Sequence, residues 1–181
     1  LKVKFGAFVK NRLGHLAGSD EERAEELNDM FRDPQVHGII ALRGGSGSAR
    51  ILDKLDYQAI KNNPKVFIGY SDITALHLAI YKKTGLVTYH GPVAVSVWNQ
   101  FSSEHLKRLL FDKEAMLFQN PSEKGGQLAQ TKNRIRTINP GRVKGQLLGG
   151  NLSVMTGIMG SNFFPEDWKG KILYLEDAGE Q

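Results

Sequence analysis

Two short apolar runs, each feeding straight into an unusual turn, constrain this chain more than any other feature. Gly38-Ile39-Ile40-Ala41-Leu42 reads as a buried strand and runs into the glycine-rich Arg43-Gly44-Gly45-Ser46-Gly47-Ser48. Val66-Phe67-Ile68 follows the turn signal Asn62-Asn63-Pro64 and reaches Gly69-Tyr70-Ser71 just before a helical pattern begins. Helical patterns stand between and beside these strands. Ser19-Asp20-Glu21-Glu22 is a capping box ahead of a helix with Ala24, Leu27 and Phe31 on one face. Leu76, Ile80 and Tyr81 recur at helical spacing with Ala75 and Ala79, and Gly85 offers a stop. Strands alternating with helices argue for a parallel α/β sheet, which binds ligands beyond the carboxyl ends of its strands.

Further elements are legible with less contrast. Leu1-Lys2-Val3 resembles a strand or its approach, Leu86 to Tyr89 is a candidate element stopped by His90-Gly91-Pro92, and Leu106, Leu109 and Leu110 mark a helix. The character changes after Phe118: Asn120 to Gly126 is turn-rich, Gln127 to Pro140 is polar and basic, and Val143 to Leu148 is strand-like again. Gly149-Gly150-Asn151-Leu152 opens a helix-like segment to Met159, and Lys171 to Leu175 is a strand ending in Glu176 and Asp177. The expected organisation is an α/β domain over 1–118, a linker over 119–145 and the start of a second domain over 146–181.

Composition narrows the function classes. Hydrophobic residues make up 40% and charged residues 24%, ordinary for a globular protein that buries a core. The net charge of +5 comes from 24 basic residues dispersed among 19 acidic ones, without an aromatic-interleaved basic stripe, so no nucleic-acid partner is expected. Cysteine is absent, which excludes disulfides and thiolate metal sites and permits a reducing cytoplasm. No apolar run reaches 18 residues, so no membrane span is expected. No His-x-x-x-His pair or similar ligand set suggests a metal. The glycine loop fits neither G-x-x-x-x-G-K-[ST] nor G-x-G-x-x-G, so no nucleotide cofactor is expected.

Ser71 is the leading chemical candidate. A strand-to-helix turn lifts one side chain out of the fold, and the N–H groups that open the helix can hold an oxyanion. The elbow pattern G-x-S-x-G is half met: Gly69 precedes the serine, but Ile73 stands at the second glycine. On spacing alone, a helix N-cap is the commoner use of such a serine. The loop at Gly44-Gly45 adds to the first alternative, because glycine lets a backbone N–H approach a reacting carbonyl and complement the N–H of Asp72. Glu176 and Asp177, at the end of an apolar strand, are candidate acids or solvated strand-end charges. Of the five histidines, His15, His37 and His105 lie in polar contexts, and neither His77 nor His90 has a partner suggested by spacing.

Taken together, the motifs resemble the LD-carboxypeptidase family of serine peptidases, which includes the microcin C immunity peptidases. LAGSDEERAEELN (16–28), GIIALRGGSGSARIL (38–52), Leu55-Asp56, PKVFIGYSDITAL (64–76), YHGPV (89–93), GQLLGGNL (145–152) and GKILYLED (170–177) fall in the family's order at compatible spacings. The resemblance implies a flavodoxin-like parallel-sheet domain followed by a smaller, mostly β domain, with the site between them. It assigns Ser71 as nucleophile, Glu176 as triad acid and the N–H groups of Gly45 and Asp72 as oxyanion hole. Gly44, Ser46 and Asn151 become substrate contacts, and no cofactor is needed. Murein tetrapeptides cut before the terminal D-alanine, or a peptidyl-nucleotide antibiotic for which Trp98 could stack on a base, are the implied substrates. A cytoplasmic location and a homodimer are also implied.

Two departures are visible. Ser46 stands where the family's Gly-Gly-Tyr-Gly loop has tyrosine. The family's triad histidine lies in a Gly-His motif beyond the Leu-Glu-Asp strand, and its opening strand precedes the position of Leu1, so the chain is expected to be a central fragment.

Overall fold

The computed structural model describes residues 2–120 and 135–177. These fall into two compact units, residues 1–96 with 144–181 and residues 97–143. The first contains every candidate site residue named above except Trp98.

Its entry helix forms where the capping box places it. Helix α1 spans Asp20–Arg32, with Ser19 accepting from the Glu22 N–H while the Glu22 carboxylate takes the Ser19 N–H. Ala24, Leu27 and Phe31 are buried along one face, as their spacing requires. Strand β1 is Gly38–Ile40, β2 is Val66–Gly69 and β3 is Tyr89–His90. They form one parallel sheet in the order β1-β2-β3, with Ile39 opposite Phe67 and Gly69 opposite His90. A 3-10 turn over Ser48–Lys54 and helix α2, Tyr57–Asn62, lie between β1 and β2, with the Asp56 side chain capping α2 through the Ala59 N–H at 2.9 Å.

Helix α3, Thr74–Thr84, stops at Gly85 in the left-handed conformation. The spacing of Leu76, Ile80 and Tyr81 suggests one apolar face, yet every residue from Thr74 to Ile80 is buried. A second layer explains this. Strand β4, Gln146–Asn151, and helix α5, Leu152–Ile158, pack on α3, and Leu148, Met155 and Ile158 join the same core as Phe31, Phe67 and Ile80. A helix covered on all sides has no polar face to keep. Strand β5, Lys171–Glu176, pairs parallel to β4 over its whole length, with Asn151 opposite Glu176.

Of the strand or strand approach expected at Leu1-Lys2-Val3, Leu1 lies outside the described residues; residues 2–6 have no regular structure, and Val3 and Phe5 are exposed. The element expected from Leu86 is confined to Tyr89–His90, and the helix expected from Gly149 begins at Leu152, because β4 continues through Asn151. Residues 121–134, which carry most of the turn-rich and basic stretch, lie outside the described residues.

In the second unit, helix α4 spans Gln100–Leu110 and is capped by Asn99, whose side chain accepts the Ser102 N–H at 2.8 Å. This is the helix marked by Leu106, Leu109 and Leu110. His105 lies between Phe101 and Phe118, with ring centroids 4.0 and 5.5 Å away.

Candidate active site

Strand β2 ends at Gly69, and two residues later Ser71 opens a 3-10 turn over Ser71–Ile73 that leads into α3. Ser71 has φ +61°, a left-handed conformation that a residue with a Cβ adopts only when its surroundings hold it there. That strained strand-to-helix corner is the geometry of a nucleophile elbow. The alternative use as a helix cap does not materialise, since no side-chain capping bond is made at the start of either the 3-10 turn or α3. Ser71 is half-buried and Tyr70, which precedes it, is exposed.

The corner is tight because Gly69 has no side chain. A Cβ there would come within 2.8 Å of both Ile73 Cγ atoms, so Ile73 folds back over the strand end only above a glycine. The half-met elbow pattern is thereby accounted for: close approach is needed at Gly69, whereas Ile73 is a buried core residue.

The glycine loop after β1 lies against this corner. A Cβ on Gly44 would sit 3.2 Å from Ser71 Cβ and 3.4 Å from its Oγ, so the loop backbone passes directly beside the hydroxyl. Gly45, with φ +133°, and Ser46 follow on the exposed side. The loop is tied to the elbow by a residue for which the sequence suggested only a backbone role. The buried Asp72 carboxylate accepts the Ser48 N–H at 2.9 Å through Oδ2. The residue after the serine thus anchors the start of the 3-10 turn that closes the loop.

On the other side, the Thr74 hydroxyl accepts the Asn151 N–H at 3.0 Å, joining α3 to the end of β4. Asn151, anticipated as a substrate contact, is buried and fully engaged. Its side-chain oxygen caps α5 through the Val154 N–H at 3.0 Å, and its amide donates to Glu176 Oε2 and Asp177 Oδ1, both at 3.3 Å. Ser153 also donates to Asp177 Oδ2, at 2.9 Å. Glu176 is half-buried at the end of β5. Gly44 thus lies close beside Ser71, and Asn151 and Glu176 are hydrogen-bonded, with Thr74, three residues after the serine, bonded to the Asn151 N–H.

Two histidines adjoin this arrangement. His90 ends β3 opposite Gly69, its ring edge-on to Tyr174 at 5.3 Å and to Tyr70 at 6.3 Å. Desolvation by this packing lowers its pKa against the opposing pull of Glu176. Burial, with the charge of Glu176 adding to it, pushes the Tyr174 phenol up to about 12. His77, one ring further in, is buried and donates from Nε2 to the Gly69 carbonyl at 2.9 Å. A cavity of about 50 Å³ is lined by His77, His90, Gln146 and Tyr174 among others. It has room for a water or two and far too little for a peptide. Among the described residues, no three His, Asp or Glu side chains gather in a way that could hold a metal ion, and no helix is long and apolar enough to cross a membrane.

A serine on a strained strand-to-helix corner with a glycine loop beside its hydroxyl has the local geometry of the elbow on which serine hydrolases present a nucleophile. The chain belongs to the LD-carboxypeptidase family: residues 1–91 match its N-terminal domain and residues 144–181 its C-terminal domain. It is 39% identical over 181 residues to the Bacillus subtilis protein named "Probable murein peptide carboxypeptidase", covering all of this chain and 54% of that one. Identity to the Escherichia coli microcin C7 self-immunity protein MccF is 35% over 182 residues, covering 90% of this chain and 53% of that one. The chain thus spans about half the length of the curated relatives it matches.

Solved structures agree on the fold. MccF in complex with glutamyl sulfamoyl guanosine superposes with a TM-score of 0.80 at 32% identity, over 95% of this chain and 57% of that one. The muramoyltetrapeptide carboxypeptidase from Oxalobacter formigenes does so with 0.78 at 30% identity, over 96% and 55%. The α/β architecture with parallel strands expected from the sequence is that of this family.

Proposed function

We propose that the protein is a serine-type LD-carboxypeptidase that hydrolyses the bond before the terminal D-alanine of murein tetrapeptides. The observation that carries the reading is the left-handed conformation of Ser71 at a strand-to-helix corner, with the glycine loop beside its hydroxyl. The name of the Bacillus subtilis relative supports the substrate class.

In the proposed reaction, Ser71 Oγ attacks the scissile carbonyl carbon and passes its proton to a histidine base. That base is assigned to the part of the longer relatives' length that these residues do not span. The oxyanion forms against the N–H groups of Gly45 and Asp72, with Gly44 and Ser46 shaping the loop around the substrate. The C–N bond breaks, the histidine protonates the departing D-alanine amine, and water then releases the acyl group by the reverse sequence. Glu176 orients the histidine, and Asn151, the expected substrate contact, also holds Glu176 in place. The domain organisation we favour is a nucleophile domain, a linker and a C-terminal domain. The setting is cytoplasmic peptidoglycan recycling by a homodimer.

A peptidyl-nucleotide is the alternative substrate, supported by the MccF relative and by MccF structures with aspartyl sulfamoyl adenosine and glutamyl sulfamoyl guanosine. The test uses the protein from its full reading frame, incubated with a murein tetrapeptide or an aminoacyl sulfamoyl adenosine, and separately with a serine-directed phosphonate. D-Alanine release together with an adduct mapped to Ser71 is the expected result. Preferential cleavage of the sulfamoyl adenosine moves the assignment to the alternative, and absence of any adduct at Ser71 leaves a non-catalytic α/β binding protein.

A further inference from the structure

The imidazole of His77 has no part in the reaction proposed above, yet it is built into the elbow that presents Ser71. Its Nε2 lies 2.9 Å from the Gly69 carbonyl oxygen. A carbonyl can only accept, so Nε2 carries the proton, and in the neutral ring Nδ1 is then a bare acceptor. Nδ1 is buried and has no hydrogen-bond partner among the described residues. A leucine or phenylalanine would fill the same space without an unpaired acceptor, which is costly to bury. What the imidazole adds is a second N–H directed at the Gly69 carbonyl.

That carbonyl is the last of β2 and is held from two sides. The Gly91 N–H donates to it at 3.0 Å from the chain leaving β3, and His77 supplies the second bond from α3. The peptide that follows leads directly to Tyr70 and then to Ser71 at φ +61°. A residue held in that region stays there only when the surrounding contacts over-determine it. Ile73 closes over Gly69 from above, and Phe67 braces the imidazole edge-on at a centroid distance of 5.4 Å.

We infer that His77 is a positioning residue for Ser71, acting through the Gly69 carbonyl to fix the peptide from which the elbow turns. The inference rests on the assignment of Ser71 as nucleophile. His77 touches no reacting atom. It sets the direction of the strand-end carbonyl, and with it the orientation of the serine.

The experiment compares His77→Gln, whose amide reaches the position of Nε2, with His77→Asn, one methylene shorter, and with His77→Phe, which keeps an aromatic ring without a donor. Each is made in the protein from its full reading frame. Phosphonate labelling at Ser71 and D-alanine release are measured per folded molecule, the folded fraction being taken from thermal unfolding. We expect His77→Asn and His77→Phe to label at least tenfold more slowly, with kcat reduced by the same factor and KM within twofold. His77→Gln should recover most of the rate. If His77→Phe does not fold, the Gln and Asn pair decides the matter, since both are polar and differ only in reach. Folded Asn and Phe variants that label at the wild-type rate, or a Gln variant as slow as Asn, overturn the inference while leaving Ser71 as nucleophile. A wild-type protein that takes no label at Ser71 removes the nucleophile assignment itself, and this inference with it.

Discussion

Asn151 and Glu176 face each other across the β4–β5 ladder, and the asparagine amide donates to the carboxylate at 3.3 Å while its own oxygen caps α5. One side chain thus serves both the stability of a helix and the placement of an acid. The two duties separate by substitution. Asn151→Ala loses the cap and should cost about 1 kcal/mol in unfolding free energy. Asn151→Asp keeps a capping oxygen but sets a third carboxylate against Glu176 and Asp177. Thermal unfolding should show the aspartate variant retaining the capping share of stability, while D-alanine release falls at least as far as in the alanine variant. Wild-type activity in Asn151→Asp would mean that the amide bond to Glu176 is dispensable.

The strain at Ser71 gives a prediction of opposite sign for stability and activity. A side chain in the left-handed region costs roughly 1–2 kcal/mol, and glycine relieves that while losing roughly 0.5–1 kcal/mol to chain entropy. Ser71→Gly should therefore leave stability unchanged or raise it by up to about 1.5 kcal/mol, and abolish phosphonate labelling at position 71. Ser71→Ala keeps the strain and should lose the label without the gain. Chemical denaturation of the three proteins side by side distinguishes them; a glycine variant less stable than alanine would show that the corner is not strained.

Much of this site was legible from local pattern alone. The elbow, the glycine loop and the acidic strand end each sit where a short apolar run stops, and that signature is carried by neighbouring residues. What the sequence withheld was everything made by contact between distant segments. The burial of α3 on all sides depends on Leu148, Met155 and Ile158, more than 60 positions away along the chain. Asn151 reads as a polar residue in a glycine-rich turn, and only the β4–β5 register shows that its amide meets Glu176. The Asp72 side chain is hidden in the same way, because its partner is a backbone N–H in another loop, which no side-chain pattern records. His77 resembles any histidine on a helix until the Gly69 carbonyl is seen above it.

The bond from the Ser48 N–H to Asp72 predicts a loop phenotype. Removing the carboxylate leaves a buried N–H unpaired and frees the start of the 3-10 turn at Ser48–Lys54, costing about 1–3 kcal/mol. Asp72→Ala should lower the unfolding midpoint and slow labelling of Ser71, because the Gly44-Gly45 backbone is then no longer held beside the hydroxyl. Asp72→Asn keeps an acceptor oxygen and should recover part of both. Hydrogen exchange at residues 44–48 provides the direct check: exchange in Asp72→Ala as slow as in the wild type would show that the carboxylate does not hold the loop.

The buried His77 also fixes how stability depends on pH. Burial lowers its pKa from 6.5 to about 4, the bond to Gly69 opposing and the nearby His90 adding to the fall. An unfolded chain therefore takes up a proton near pH 6.5 that the folded chain refuses until near pH 4. The stability associated with the neutral ring is fully present above pH 6.5 and is lost as the pH falls towards 4, a change of roughly 3 kcal/mol across that window. His90, shifted in the same direction, adds to the slope. In His77→Gln this contribution disappears, so its unfolding free energy should vary less between pH 6.5 and 4 than that of the wild type. Denaturant titrations at pH 7, 6, 5 and 4 measure the difference. Parallel profiles for the two proteins would mean that the folded and unfolded chains bind the His77 proton equally well, so that burial does not depress its pKa.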